Sequence, residues 1–327
     1  MKINKYMFLP ALIALGMASC NGEGDGNVQM WEWETPEAPV EVDPYVEKGW
    51  TNVTKDYGEM PEYIRVYSSP AKLQDKDVKA FIAVADATKA KFDVLGGAEG
   101  YSTPSQFYEA DAAPIIINGG FFYDGSSLSL VWRNGELVCP NVQVDSPDWS
   151  ETWYYMPRGV FAKKADGSFE VGWTWTDLQD HTYWYPTPMP LENGRKPDAS
   201  YPAGAKDFQA VTAIGGGPVL VKGNEIINSY EDEYLLINPT GNRPRTAIGY
   251  NSTDHKLVLF VCEGDGMTSG IAGMTLEDVA NVMKDLGCDE TCNLDGGGSS
   301  CMLVNGKETI KPSDGSQRSV VNGVAIK

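Results

Sequence analysis

From Tyr63 onward, apolar residues recur with a period of two in short runs bounded by turn residues, the pattern of β-strands. Tyr63 to Tyr67, Ala80 to Ala85 and Pro114 to Asn118 are predicted strands. Hairpin turns recur at Asn134-Gly135, Asp166-Gly167, Gly223-Asn224 and Asn305-Gly306, each flanked by apolar runs, as antiparallel sheets require. Arg245 to Tyr250, a turn at Ser252 to His255, and Leu257 to Cys262 predict another hairpin. Two segments switch to a helical pattern. Thr103 followed by Pro104 predicts a short helix over Ser105 to Glu109. Thr275 is a cap, Leu276, Val279, Ala280, Met283 and Leu286 share one face, and Gly287 is a stop. The expected fold class is α+β, with a mainly antiparallel β-sheet core and a few packed helices.

The first sixty residues follow a different pattern. Lys2 and Lys5 precede an apolar run from Tyr6 to Leu15, and small residues then lead to Cys20. That run is too short for a bilayer of about 30 Å, so residues 1–20 read as an export signal. Leu15 to Cys20 resembles a bacterial lipobox, in which the cysteine is acylated; Cys20 is therefore the expected lipidation site. Asn21 to Glu47 contains eight acidic residues, no Lys or Arg, and Pro36, Pro39 and Pro44. Such a stretch repels itself and buries little, so residues 21–60 are expected to be an acidic tether, with Trp31 and Trp33 available for docking. The remaining domain is expected over 61–327. The localisation expected is an outer-membrane lipoprotein, periplasmic or at the cell surface, touching the membrane through its lipid anchor only, and monomeric.

Composition narrows the chemistry. A hydrophobic content of 42% with 11% aromatic residues supports a substantial core. A net charge of −19 argues against nucleic acid as a partner, because phosphate backbones need clustered Lys and Arg. Any bound anion must be held by local donors. Five cysteines follow Cys20: Cys139, Cys262, Cys288, Cys292 and Cys301. Cys288 and Cys292 are spaced like half of a metal knuckle, but no second Cys or His pair lies nearby, so no zinc site is expected. The only histidines are His181 and His255, which leaves acid and base work to carboxylates.

The sharpest local signal is Asn293-Leu294-Asp295-Gly296-Gly297-Gly298-Ser299-Ser300. Three successive glycines let backbone N–H groups converge on an anion, with Asp295, Ser299 and Ser300 around the same point. Two more glycine clusters, Asn118-Gly119-Gly120-Phe121-Phe122 and Ile214-Gly215-Gly216-Gly217-Pro218, lie at predicted strand ends, where sites form. Arg245 opens a strand and is the better candidate for gripping a phosphate, Arg318 a second, and Arg243 reads as exposed. Carboxylates for acid and base roles are Asp295, Glu263 and Asp265; the last two could instead hold Ca²⁺, while no cofactor is required. An aromatic-dense stretch from Trp149 to Tyr185 suits sugar rings, although Trp173 and Trp175, two apart on one strand face, equally suit core packing.

The segments Asn118 to Phe122, Gly216-Gly217-Pro218, Arg245-Thr246-Ala247-Ile248-Gly249 and Asn293 to Ser300, in this order and spacing, resemble the phosphodiester glycosidase family over roughly Ile64 to Lys327. The resemblance implies hydrolysis of the glycosidic bond of a sugar-1-phosphodiester, of the N-acetylglucosamine-1-phosphodiester type. Alternatives are a non-catalytic glycan-binding lipoprotein and a metal-dependent phosphodiesterase. Asp295, Glu263 and Arg245 are the expected catalytic residues. Asn118, Gly119, Gly120, Phe122, Gly216, Gly217, Thr246, Asp265, Asn293, Gly296, Gly297, Gly298, Ser299, Ser300 and Arg318 are the expected substrate-binding set. One departure stands out: this chain has Glu263-Gly264-Asp265 where the family usually reads Asp-Gly-Arg.

Overall fold

Three antiparallel sheets wrap a shared core in the computed structural model, which describes residues 42–142, 144–146 and 151–327. The expected signal peptide, Cys20, the expected tether up to residue 41 with Trp31 and Trp33, and Trp149 lie outside the described residues. The first sheet has eight strands, in the order 51–52, 64–68, 80–86, 256–262, 245–251, 290–293, 219–222 and 225–226. The second has seven, in the order 136–139, 131–133, 212–215, 158–163, 169–176, 182–185 and 206–207. The third has five, in the order 307–308, 302–304, 115–118, 322–326 and 92–96.

The strand Lys256–Cys262 shows why the first sheet sits inside the molecule. Leu257, Leu259 and Val261 point into the core shared by the three sheets, while Val258, Phe260 and Cys262 point the other way, against a helix. A strand covered on both faces reads as an unbroken apolar run, as this one does. The helix is α3, Leu276–Asp285. Thr275 accepts a hydrogen bond from the Asp278 N–H at 3.1 Å, and the Asp278 carboxylate accepts one from the Thr275 N–H at 2.7 Å. Gly287, at φ +92°, ends the helix where a side chain would be strained. Leu276, Val279, Val282, Met283 and Leu286 are buried, contributing about 1.5–3 kcal/mol each.

Helices are sparse. Besides α3, the described residues contain a one-turn helix α1, Pro44–Glu47, and α2, Pro104–Ala110. About 10% of the described residues are helical against 38% in strands, so the mainly antiparallel core is as expected while the α+β class is corrected to a predominantly β fold with little helical packing. Strand propensity and hairpin turns dominate the sequence, and only the α3 face carries a full helical stripe.

The acidic composition before residue 60 does not keep that whole segment off the domain. Asp43 caps α1 and accepts a hydrogen bond from the Tyr67 hydroxyl at 2.9 Å. Tyr45 and Trp50 are buried, and Thr51–Asn52 pairs with Ser68 and Tyr67. The described domain therefore begins at Val42, because two aromatic anchors outweigh the scattered acids.

Candidate active site

Asp295 leaves the end of the strand Glu290–Asn293 and is bolted down by its neighbours. The Leu294 N–H donates to Thr246 O at 2.9 Å and the Asp295 N–H to Gly119 O at 3.1 Å. The Asn118 amide donates to Asp295 O at 2.7 Å. Asn118 is fully buried, and its Oδ1 accepts from the Thr246 hydroxyl at 2.8 Å and the Cys301 N–H at 3.1 Å. Asn118 and Thr246 therefore hold the Asp295 loop in place; neither presents its polar group to solvent.

The glycines serve close approach rather than a nest of free amides. The Gly296 N–H donates to Asp295 Oδ1 at 2.9 Å and the Gly297 N–H to Pro244 O at 2.9 Å. The Ser299 and Ser300 N–H groups close a 3₁₀ turn onto Gly296 and Gly297. A Cβ on Gly296 would sit 2.9 Å from Pro244 O, and one on Gly298 would sit 2.0 Å from Arg318 Nη2. Gly119 and Gly120 run against Asn322, whose Oδ1 accepts the Gly120 N–H at 2.8 Å. Gly216 is pressed against Asn293 O, and the Gly217 N–H donates to that same oxygen at 2.8 Å. Asn293 donates to Gly217 O and Leu294 O, each at 2.7 Å, while its Oδ1 and the Ser300 hydroxyl are buried without a partner. The three glycine clusters do meet, as backbones crossing at van der Waals distance.

Charge is arranged around Asp295, which stays partly exposed. Burial pushes its carboxyl up to about 6 from an ordinary 3.8, against the opposing pull of the Ser299 hydroxyl, the Gly296 N–H and the Arg318 charge. Arg318 donates to Ser299 Oγ at 3.3 Å and grips Asp314 through Nε at 2.8 Å and Nη2 at 2.7 Å. Arg243, half exposed, pairs with Asp265 at 3.1 Å and lies beside Gly297. A carboxyl raised to about 6, with the Arg318 charge acting on it and Arg243 beside the same loop, is equipped for proton transfer next to an anion.

Two expected roles change. Arg245 is 5% exposed and donates through Nε and Nη2 to the backbone oxygens of Met274, Asn238 and Gly241, so its fork holds the 238–241 loop and is turned away from solvent. Arg243, which reads as exposed in the sequence, is the arginine facing the loop. Glu263 is fully buried; its Oε2 receives Lys79 Nζ and the Lys311 N–H, each at 2.9 Å. Burial raises its pKa, yet the Thr268 hydroxyl, the Lys311 N–H and Lys79 outweigh burial and leave it below the ordinary carboxylate value. It ties the Lys79 and Lys311 segments together, and Asp265 pairs with Arg243. Phe122 lies at the start of the hairpin after Gly120, partly exposed and edge-on to Tyr101 at 6.1 Å.

A model of the phosphodiester glycosidase family matches residues 111–327, about two thirds of the chain. The chain belongs to this family. Residues 118–120, 216–217, 243–246, 263–265, 295–300 and 318 all lie inside the matched span. Among solved structures, this chain is similar to a hypothetical protein from Synechocystis, with TM-score 0.55 and 15% identity, covering 82% of this chain and 64% of that one. It is also similar to the zebrafish N-acetylglucosamine-1-phosphodiester alpha-N-acetylglucosaminidase catalytic domain auto-inhibited by its pro-peptide, with TM-score 0.54 and 19% identity, covering 82% of this chain and 84% of that one. At these identities both are likenesses of fold. The SPbeta prophage-derived uncharacterized protein YomE of Bacillus subtilis is 40% identical over 83 residues, which are 25% of this chain and 12% of YomE.

Several residues that build this candidate site are silent in the sequence pattern. Asn322 lies in the strand Asn322–Ile326 and reads as a strand residue, but its side chain holds Gly120 and donates to Ser127 Oγ at 3.0 Å. Glu233, in the acidic run Glu231-Asp232-Glu233, is completely buried. It accepts from Ser229 Oγ at 2.6 Å, the Gly159 N–H at 2.8 Å, Trp173 Nε1 at 2.9 Å and the Val219 N–H at 3.0 Å, and so anchors the Gly217-Pro218 turn. Trp173 and Tyr185 are likewise buried, as is Trp175, so this part of the aromatic stretch is core and not a sugar platform.

Proposed function

We propose that this protein hydrolyses the glycosidic bond of sugar-1-phosphodiesters, with Asp295 as the general base. The observation that carries the reading is the Asp295 carboxyl, raised to about 6, bolted into the family's glycine-rich loop with Arg318 and Arg243 beside it. In its ionised form Asp295 takes a proton from water as the water oxygen bonds to the anomeric carbon. The bond from that carbon to the phosphate oxygen breaks, and its electron pair stays on the phosphate. The products are a free sugar and a phosphomonoester. Phosphate leaves readily without a strong proton donor, so the site's contribution is charge stabilisation. Arg318 and Arg243 supply it, in place of the buried Arg245.

The sugar we propose is of the N-acetylglucosamine type, and the setting is a lipoprotein anchored through Cys20, acting as a monomer. The test is incubation with N-acetylglucosamine-1-phosphate diesters, separating free sugar from sugar phosphate, for the native protein and Asp295→Asn. Free sugar that disappears in Asp295→Asn supports the reading. Sugar phosphate as the product would mean cleavage of the P–O bond and would sink it.

A further inference from the structure

The outer face of the seven-stranded sheet is covered differently from the other two. On the first sheet α3 closes the outward face, and on the third α2 does. On the second, among the described residues, a small cluster of Leu130, Val160, Ala162, Phe208 and Ala213 is roofed by side chains such as Trp132 and Trp184, which remain partly exposed. Between them opens a groove of about 630 Å³. This volume falls in the range of small-ligand sites, about 300–1,000 Å³. None of its lining residues belongs to the Asp295 loop or its neighbours described above.

Both indoles are held rigid. Trp132 donates through Nε1 to Ala210 O at 2.9 Å and meets Phe208 edge-on, with ring centres 5.0 Å apart. Trp184 is seated against the sheet backbone at Gly172, where any Cβ would come within 2.1 Å of its Nε1. Lys206 and Lys222 flank the Trp184 ring at 5.6 and 5.2 Å. Aromatic surfaces fixed in advance lose little freedom when a ligand stacks on them. The rim carries both signs: Lys164 and Lys206 stand beside Asp166, Glu170 and Asp207. A phosphate or carboxylate entering here would face three carboxylates, whereas hydroxyl groups both donate and accept and so suit either sign.

We infer that this groove is a second saccharide-binding site, which stacks neutral sugar rings on Trp132 and Trp184 while rim side chains bond their hydroxyls. Sugar rings offer apolar C–H faces to the indoles, and the rigid pair fixes where a glycan chain lies on the protein. The inference does not depend on what Asp295 does. Its test is affinity electrophoresis and tryptophan-fluorescence titration of the full chain, carrying Asp295→Asn to prevent turnover, with N-acetylglucosamine oligosaccharides and dextran oligosaccharides. Saturable binding of at least one probe is expected, weakened roughly tenfold in Trp184→Ala and in Trp132→Ala. Lys206→Ala, an exposed rim change, is read alongside, so that a folding defect in either tryptophan variant leaves a usable comparison; it too is expected to weaken binding. No binding of either probe, binding unaltered in the folded variants, or displacement of the probe by inorganic phosphate would each overturn the inference.

Discussion

Replacing Asp295 by Asn is expected to abolish activity and to make the protein more stable at alkaline pH. The carboxyl is raised from 3.8 to about 6 in the fold. The native state therefore holds the proton more tightly than the unfolded chain does. Between about pH 4 and pH 6 the unfolded state has released that proton while the native state retains it, so stability falls as pH rises through this window and stays lower above it. The difference of about 2 pH units, at 1.36 kcal/mol each, corresponds to about 3 kcal/mol, an upper figure because Asp295 is partly exposed. Asn removes the ionisation while keeping an oxygen for the Gly296 N–H. For a domain of this size the melting temperature of Asp295→Asn should exceed that of the native protein by about 5–10 °C at pH 8, and the two should converge near pH 4. Thermal unfolding of both proteins across pH 4 to 8 is the assay. A difference independent of pH, or a variant less stable at pH 8, would refute the argument. The same carboxyl acting as base makes kcat/KM rise with pH through about 6.

Arg245→Ala and Arg243→Ala should separate cleanly. Losing Arg245 strands three backbone oxygens, at about 1–3 kcal/mol each, so urea unfolding should show a loss of about 3 kcal/mol or more. Losing the half-exposed Arg243 should leave stability within about 1 kcal/mol but lower turnover of a sugar phosphodiester roughly a hundredfold. Glu263→Gln should cost about 2 kcal/mol at neutral pH, since it breaks the pair between the fully buried Glu263 carboxylate and the partly exposed Lys79. Because the folded pKa of Glu263 is depressed, that contribution is present above about 4.5 and fades as pH falls through the folded value, so the variant and native unfolding curves should meet in acid. Met283→Ala empties a core position behind the first sheet and should cost about 2–5 kcal/mol in denaturant unfolding, with activity per folded molecule unchanged.

Features governed by local chemistry could be read from the sequence. The hairpins at Asn134-Gly135, Asp166-Gly167, Gly223-Asn224 and Asn305-Gly306 all formed, because positive φ at both positions of three of these turns, and at Gly167 in the other, admits few other residues. The capped helix from Thr275 to Gly287 formed for the same kind of reason. The loop from Asp295 to Ser300 and the glycine clusters also converge as their spacing implied. Which polar groups face solvent was not legible. Arg243 and Arg245 differ by two positions, yet one meets water and the other three carbonyls, a distinction made by the distant 238–241 and 274 segments. Glu233 sits in a run of acids that reads as surface, and only the fold reveals four donors waiting for it. Asp43, Tyr45 and Trp50 show the converse, where an acidic stretch conceals its anchors.

The hold of Asn322 on Gly120 links residues 202 positions apart, and Gly119 in turn fixes Asp295. The carboxyl therefore has no defined surroundings until the strand Asn322–Ile326 has paired with Ile115–Asn118. A chain made only as far as residue 321 would carry every residue of the Asp295 loop and still lack the geometry that tunes it, so the surroundings of this carboxyl are assembled by a strand that is synthesised after it.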